Sequence, residues 1–356
     1  MSSVEIDEAR LGEFMGRLIG YMTGGALCFG IFLGDELGLY RALAEGGAHE
    51  ADDVAARTRC HPRLVREWLD GQVAGGLVDY DVGTGRYALS PEAAAALADE
   101  TSPVFVARGM NTLISLGADH HKTVAAFLGD GALSWGEHHP RLFSGTEWFF
   151  RTGYRAYLPS GWLAALEGVE QKLHRGAAVA DVGCGHGASA VVIAQAYPNS
   201  SVNGFDNHGP SIETARQRAR EAGVDDRVSF RVADATGYPG TYELICFFDC
   251  LHDMGDPVGI ARHAREHLAD DGTVLLVEPF ALDDKGANLK DNPMAAMFYT
   301  LSSAICTPNS LSQDVALGLG AQAGEARLRS IFEDAGFSRF RRATETPVNL
   351  VFEARP

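Results

Sequence analysis

The chain has 356 residues, 46% of them apolar, and a formal charge of -17 at pH 7. That length suits two domains of ordinary size and a sizeable buried core. The surplus of carboxylates makes a poor partner for phosphate backbones, so nucleic-acid binding is not expected.

Glu5, Asp7 and Glu8 stand where a secretion signal would carry basic residues, and a cytoplasmic protein is expected. Residues 5–45 read as helical, with Leu11, Phe14, Met15, Leu18 and Ile19 at three-to-four spacing. Leu18 to Gly34 is uncharged over 17 residues and holds glycines 20, 24, 25, 30 and 34. It falls short of the ~20 residues that span a bilayer, so it reads as a buried core or interface helix pair rather than a membrane segment.

Residues 51–90 carry another pattern. Ala51 to Thr58 and Arg63 to Ala74 are helices around a turn at Cys60-His61-Pro62. Leu77–Asp81 and Arg86–Leu89 form a hairpin around Gly83-Thr84-Gly85. Helix, turn, helix and two-stranded ribbon make a winged helix. Residues 91–165 are helical and aromatic, with histidine pairs at 120–121 and 138–139 whose place at a site is left open.

From Ala177 onward strands alternate with helices, which predicts an α/β domain with a mostly parallel sheet. The strands are 177–182, 201–206, 228–233, 243–248 and 272–278, with helices near 187–197, 210–222 and 256–269. Residues 281–320 interrupt the alternation. A helix at 325–335 and a hairpin of strands 339–346 and 349–353, joined through Pro347, close the chain, so at least one strand runs antiparallel.

The first strand ends at Asp181 and opens into Gly183, Gly185 and Gly187; the second ends at Asp206. Gly183-x-Gly185-x-x-Ala188 with a downstream acid also suits a dinucleotide. Asp181 argues against that, because a pyrophosphate at a helix N-terminus is repelled by a carboxylate there, while a cofactor with an amino group and a sulfonium is attracted.

Val179-Ala180-Asp181-Val182-Gly183-Cys184-Gly185-His186-Gly187 resembles the first motif of class I S-adenosylmethionine-dependent methyltransferases. Asp206, Asp234 in Val232-Ala233-Asp234-Ala235, and Phe247-Phe248-Asp249 follow in the order that family shows. The resemblance implies a Rossmann-like domain with a seven-stranded sheet whose last strand is antiparallel. It implies cofactor contacts from Asp181, Gly183, Cys184, Gly185, Asp206, Asn207, Asp234, Ala235, Phe248 and Asp249. The segment Asp249-Cys250-Leu251-His252-Asp253-Met254 resembles the His-Asp-Trp motif of small-molecule O-methyltransferases, with Met254 in place of tryptophan. There the histidine is the general base, which implies that role for His252.

That family also places a winged helix before the catalytic domain, as a dimerisation domain. The implied layout is a winged-helix domain over 1–100, a helical bridge over 101–165 and the methyltransferase domain over 166–356. A small aromatic or apolar acceptor is expected against 143–162 and 294–306, with Trp148, Tyr154, Tyr157, Met297 and Cys306 as pocket residues. No metal is expected. Two alternatives stay open: carbon methylation of a keto acid with a metal on Asp249 and His252, and a DNA-binding regulator with a ligand-sensing domain. The six cysteines form no C-x-x-C pair and read as reduced thiols.

Overall fold

A computed structural model describes residues 6–356. The chain divides into two compact units, one ending at Ile114 and one spanning Ser115–Pro356. The segment 101–165, read as a bridge, is shared between them.

The first unit opens with α1 (Glu8–Glu36), started by the Asp7 carboxylate, which accepts the N–H groups of Ala9 and Arg10 at 3.0 and 3.1 Å. The stretch expected to form a helix pair is a single 29-residue helix, glycines included. Its N-terminal portion, with Phe14, Met15, Ile19 and Met22, is exposed rather than buried within the unit. Among the described residues α1 is the one helix long and apolar enough to cross a membrane. Its C-terminal end packs on α2 (Leu39–Ala44) and α4 (Pro62–Ala74), which follows α3 (Ala51–Thr58). Gly34 makes that approach close enough that a Cβ there would stand 2.3 Å from the Tyr40 ring. The hairpin is β1 (Asp79–Asp81) and β2 (Arg86–Ala88), followed by α5 (Pro91–Leu97). On α4, exposed Arg63 pairs with Glu67, and exposed Arg66 pairs with Asp52 at 3.0 Å, so acids accompany both cations.

After α6 (Asn111–Ala118), the second unit places α7 (His120–Leu128), α8 (Pro140–Tyr157) and α9 (Val169–Arg175) ahead of an alternating α/β fold. Its elements are β3 (Ala178–Val182), α10 (Ala188–Ala196), β4 (Ser201–Asp206), α11 (Gly209–Glu221), β5 (Val228–Val232), β6 (Tyr242–Phe248), α12 (Pro257–Glu266) and β7 (Leu268–Pro279). Three short helices fill the interruption: α13 (Lys285–Asp291), α14 (Ala295–Ala304) and α15 (Cys306–Leu311). Then come α16 (Gly324–Asp334), β8 (Arg339–Glu345) and β9 (Asn349–Arg355).

The sheet has seven strands in the order β5-β4-β3-β6-β7-β9-β8, and β9, the last in sequence, pairs antiparallel with both neighbours. Both faces are covered. In β6, Leu244, Cys246 and Phe248 pack into one apolar core, while Ile245 and Phe247 pack into the other. A strand buried on both sides reads as an unbroken apolar run, as this one does. β3 hands the chain to β4 on one side while β6 pairs with it on the other, and a crevice opens at the C-terminal ends of these strands.

Candidate active site

The glycine turn is built by hydrogen bonds to the end of β4. Gly183 and Cys184 donate their N–H groups to the Phe205 carbonyl at 2.8 and 3.0 Å, and Gly185 donates to the Asp206 carboxylate at 2.9 Å. Gly183, Gly185 and Gly187 have φ of 74, 50 and 76°, the left-handed region that glycine enters without steric cost. A Cβ on Gly183 would stand 2.9 Å from Cys250 Sγ, and one on Gly187 2.6 Å from the Phe230 ring. A Cβ on Gly185 would meet nothing within 4 Å.

The turn forms the floor of a cavity of about 560 Å³. Gly183, Cys184, Gly185, Asp206, Asn207, Asp234, Ala235, Phe248 and Asp249 all line it, so nine of the ten expected cofactor residues come together. Asp181 does not reach the wall. It is 1% exposed behind the turn, where Ser189 Oγ donates to its Oδ2 at 2.6 Å and its Oδ1 has no partner. Burial lifts its pKa to about 7, with the Asp206 charge adding to the rise. Asp206 is held by the N–H groups of Gly185 and His208, and burial raises it too. Asp256 caps α12 through the Gly259 N–H at 2.8 Å, ahead of Pro257.

His252 sits in a tight turn, Leu251–Asp253, one layer behind the wall and 4% exposed. Its Nδ1 is 2.5 Å from Oε2 of Glu278, which is 2% exposed at the end of β7. Burial opposes a charged ring, but the Glu278 carboxylate and then the Cys306 thiol outweigh it and hold the His252 pKa well above its ordinary value. Its neighbours Cys250 and Asp253 face the cavity. Burial raises Asp253 to about 7.

Sequence reasoning missed Glu278. Its signal was there, because β3, β4 and β6 are each followed or closed by an acid at the C-terminal end and β7 repeats the pattern. It also missed most of the roof. Phe143, Thr146, Glu147, Phe150 and Tyr154 line the cavity from one stripe of α8, at helical spacing. Of the expected pocket residues Tyr154 is on that stripe. Trp148 lies outside the lining, under the Arg151 guanidinium at 4.1 Å, and Tyr157 is exposed. Met297 and Cys306 also lie outside it. The segment 294–306 instead gives Tyr299, Ser302 and Ser303 to a second cavity of about 570 Å³, while Asn309 and Gln313 face the first.

The histidine pairs do not line the first cavity. His120 Nδ1 contacts the Gly117 carbonyl at 2.9 Å, buried His138 contacts Asp119 at 3.4 Å, and His139 caps α8. Among the described residues no group of three or more His, Cys, Asp and Glu side chains is placed to hold a metal ion.

Residues 173–336 match the family described as methyltransferase domain, and residues 25–99 match the Rv2258c-like winged HTH domain. The chain is similar to 27-O-demethylrifamycin SV methyltransferase of Amycolatopsis mediterranei, 34% identical over 29% of this chain and 39% of that one. It is similar to acetylserotonin O-methyltransferase of Mus musculus, 30% identical over 50% of this chain and 43% of that one. The chain thus spans less than half the length of these curated relatives. Among solved structures, an O-methyltransferase from Nostoc punctiforme superposes with a TM-score of 0.71 at 20% identity, over 99% of this chain and 100% of that one. Human N-acetylserotonin methyltransferase with its bound cofactor gives 0.70 at 20% identity, over 100% and 99%. At that identity the likeness is one of fold.

Proposed function

We propose that this chain, an Rv2258c-like winged helix followed by a methyltransferase domain of the S-adenosylmethionine-dependent class I type, methylates an oxygen of a small apolar or aromatic acceptor, with His252 as general base. The observation that carries the proposal is the buried contact of His252 with Glu278 beside the glycine-floored cavity.

The residues present fit the cofactor. Gly185 leaves open space where a side chain would stand, so a ligand can approach the turn's backbone. Asp206 and Asp234 at the wall suit a ribose diol and an adenine amino group. When bound, S-adenosylmethionine supplies an electrophilic methyl on a sulfonium. The chain's part is to orient and deprotonate the acceptor. Glu278 accepts the Nδ1–H of neutral His252 and fixes the tautomer, so that Nε2, once the acceptor hydroxyl replaces the Cys306 thiol beside the ring, takes the hydroxyl proton. The same carboxylate then steadies the imidazolium formed. Acceptor docking is required to bring a hydroxyl within reach, since His252 stands one layer behind the wall.

Calorimetry with S-adenosylmethionine and S-adenosylhomocysteine tests the cofactor; absence of binding at hundreds of micromolar overturns it. With a panel of phenols as acceptors, His252→Ala is expected to lower turnover by roughly 10²–10⁴ with cofactor affinity nearly intact. Equal loss of both would make the residue structural.

The proposal extends to a homodimer through the first unit, because α1 offers Phe14, Met15 and Ile19 to solvent. A monomer in sedimentation removes that part. It also puts the protein in the cytoplasm, where its six free cysteines stay thiols.

A further inference from the structure

Charge along the cavity wall is one-sided. Asp206, Asp234, Asp249, Asp253, Asp256 and Asp314 line it, Glu147 is paired with Arg151 and Arg218, and among the described residues no lysine or arginine lines it. Several of these acids have partners: Asp206 accepts two backbone N–H groups and Asp256 caps a helix.

Asp249 is different. It follows β6 with a φ of 49°, a left-handed conformation rare outside glycine. Its Oδ1 accepts from Asn349 Nδ2 at 2.7 Å, and its Oδ2 is buried with no partner. Glu278, at the end of the neighbouring strand, shares this state. Its Oε2 contacts His252, while its Oε1 is buried and unpartnered. Burial, and next the Glu278 charge, push the Asp249 carboxyl up. Aromatic rings share the cavity wall with Asp249: Tyr154 and Phe248 line it with centroids 5.3 Å apart, and Phe150 stacks on Tyr154 at 6.3 Å.

An unpartnered carboxylate oxygen on an acidic wall that also carries aromatic rings is the complement of an organic cation. We propose that Asp249, on the cavity wall with Tyr154 and Phe248, anchors a subsite for an ammonium group of the acceptor, so that the methylated molecule is a basic amine. This rests on the methyl-transfer reading above and concerns the handle by which the acceptor is held, not the atom methylated. An ammonium donates a hydrogen bond to the open Oδ2 of Asp249 and offsets the charge of the acidic wall. The ring faces add cation–π attraction. A neutral alcohol brings one donor and no charge, and an anion meets only like charge.

The test uses the full chain saturated with S-adenosylhomocysteine and three probes of one shape: phenethylamine, 2-phenylethanol and phenylacetate. Calorimetry is expected to rank the amine roughly tenfold or more above the alcohol, with no binding of the acid. In Asp249→Asn, measured at a product concentration that saturates that variant, the amine-to-alcohol ratio is expected to fall toward about one. Equal binding of amine and alcohol by the native chain overturns the subsite, and that measurement needs no variant to fold. A variant that loses S-adenosylhomocysteine but keeps the amine preference overturns it too, by assigning Asp249 to the cofactor. Failure of the native chain to bind S-adenosylhomocysteine removes the methyl-transfer reading instead.

Discussion

The floor and the roof of the cavity are held by different forces. The floor is backbone: β3, β4, β6 and β7 lie in parallel register, and the glycine turn is tied to β4 by main-chain hydrogen bonds. The roof is side chains. Asn309 on α15 donates to the Asp253 carbonyl at 3.0 Å and accepts from the Trp135 N–H at 2.9 Å; Gln313 accepts from the Gly255 N–H at 2.8 Å. On α8, Glu147 pairs with Arg218 at 2.6 Å. A ladder shares strain over many bonds, whereas a side-chain clamp fails one contact at a time. Damage to the floor is therefore expected to be severe and damage to the roof graded.

The largest effect is expected at Gly183. In Gly183→Ala the new methyl meets Cys250 and the backbone keeps a φ disfavoured for alanine. Cofactor affinity is expected to drop by about 100-fold or more, with a clear loss of thermal stability. Gly185→Ala separates the two consequences. Its methyl meets no protein atom, but its φ of 50° is disfavoured for alanine too, so unfolding should suffer less than in Gly183→Ala while affinity still falls by roughly tenfold. Calorimetry paired with thermal unfolding checks both, and equal unfolding losses in the two variants would contradict the open cradle.

Next comes Glu278→Gln. The proposed base works as the neutral ring, so activity is lost as pH falls through the His252 pKa, which Glu278 helps to hold up. The variant should shift the acid limb of the pH–rate profile to lower pH and lower turnover by about 10- to 100-fold. An unchanged midpoint would remove Glu278 from the base's environment. Smaller again is Asn309→Ala on the roof, where the KM of the acceptor is expected to rise by a few-fold, with cofactor affinity changed less. A loss as large as that of Gly183→Ala would break the contrast between floor and roof.

The same contrast explains what could be read from sequence. Strand ends and the turn obey short-range rules: an apolar run, then an acid, then glycines. The strand ends at Asp181 and Asp206 and the closing β8–β9 hairpin were therefore placeable by spacing, while Asp234, Phe248 and Asp249 were placed by the resemblance to methyltransferases. Glu278 obeys the same rule, but its role appears only once β6 and β7 are neighbours and His252 faces it. The roof depends on which face of α8 meets the sheet. Its aromatic residues cover several faces, so Trp148 and Tyr157 were expected in the pocket, whereas Phe143 and Phe150 hold the face that lines it. α1 shows a different gap: its glycines suggested a break, but an uninterrupted apolar helix absorbs them.

The subtlest effect concerns Asp181 and takes its sign from linkage. Burial lifts its folded pKa to about 7, above the roughly 4 of an unfolded aspartate. The folded state thus prefers the protonated acid. Its favourable contribution is complete below the unfolded pKa and is lost as pH rises from about 4 to about 7. Without cofactor, native stability should carry this downward slope, and Asp181→Asn should remove its share. The variant is expected to gain on the native chain by a few °C between about pH 5 and 8. Cofactor should act in the opposite direction. A bound sulfonium and ammonium favour the ionised carboxylate, so binding near pH 6 releases protons and tightens as pH rises. Calorimetry in buffers of different ionisation enthalpy measures that release, and S-adenosylhomocysteine, without the sulfonium charge, should release fewer. Equal proton release by the two ligands would show that the carboxylates behind the floor do not sense the methyl-bearing charge.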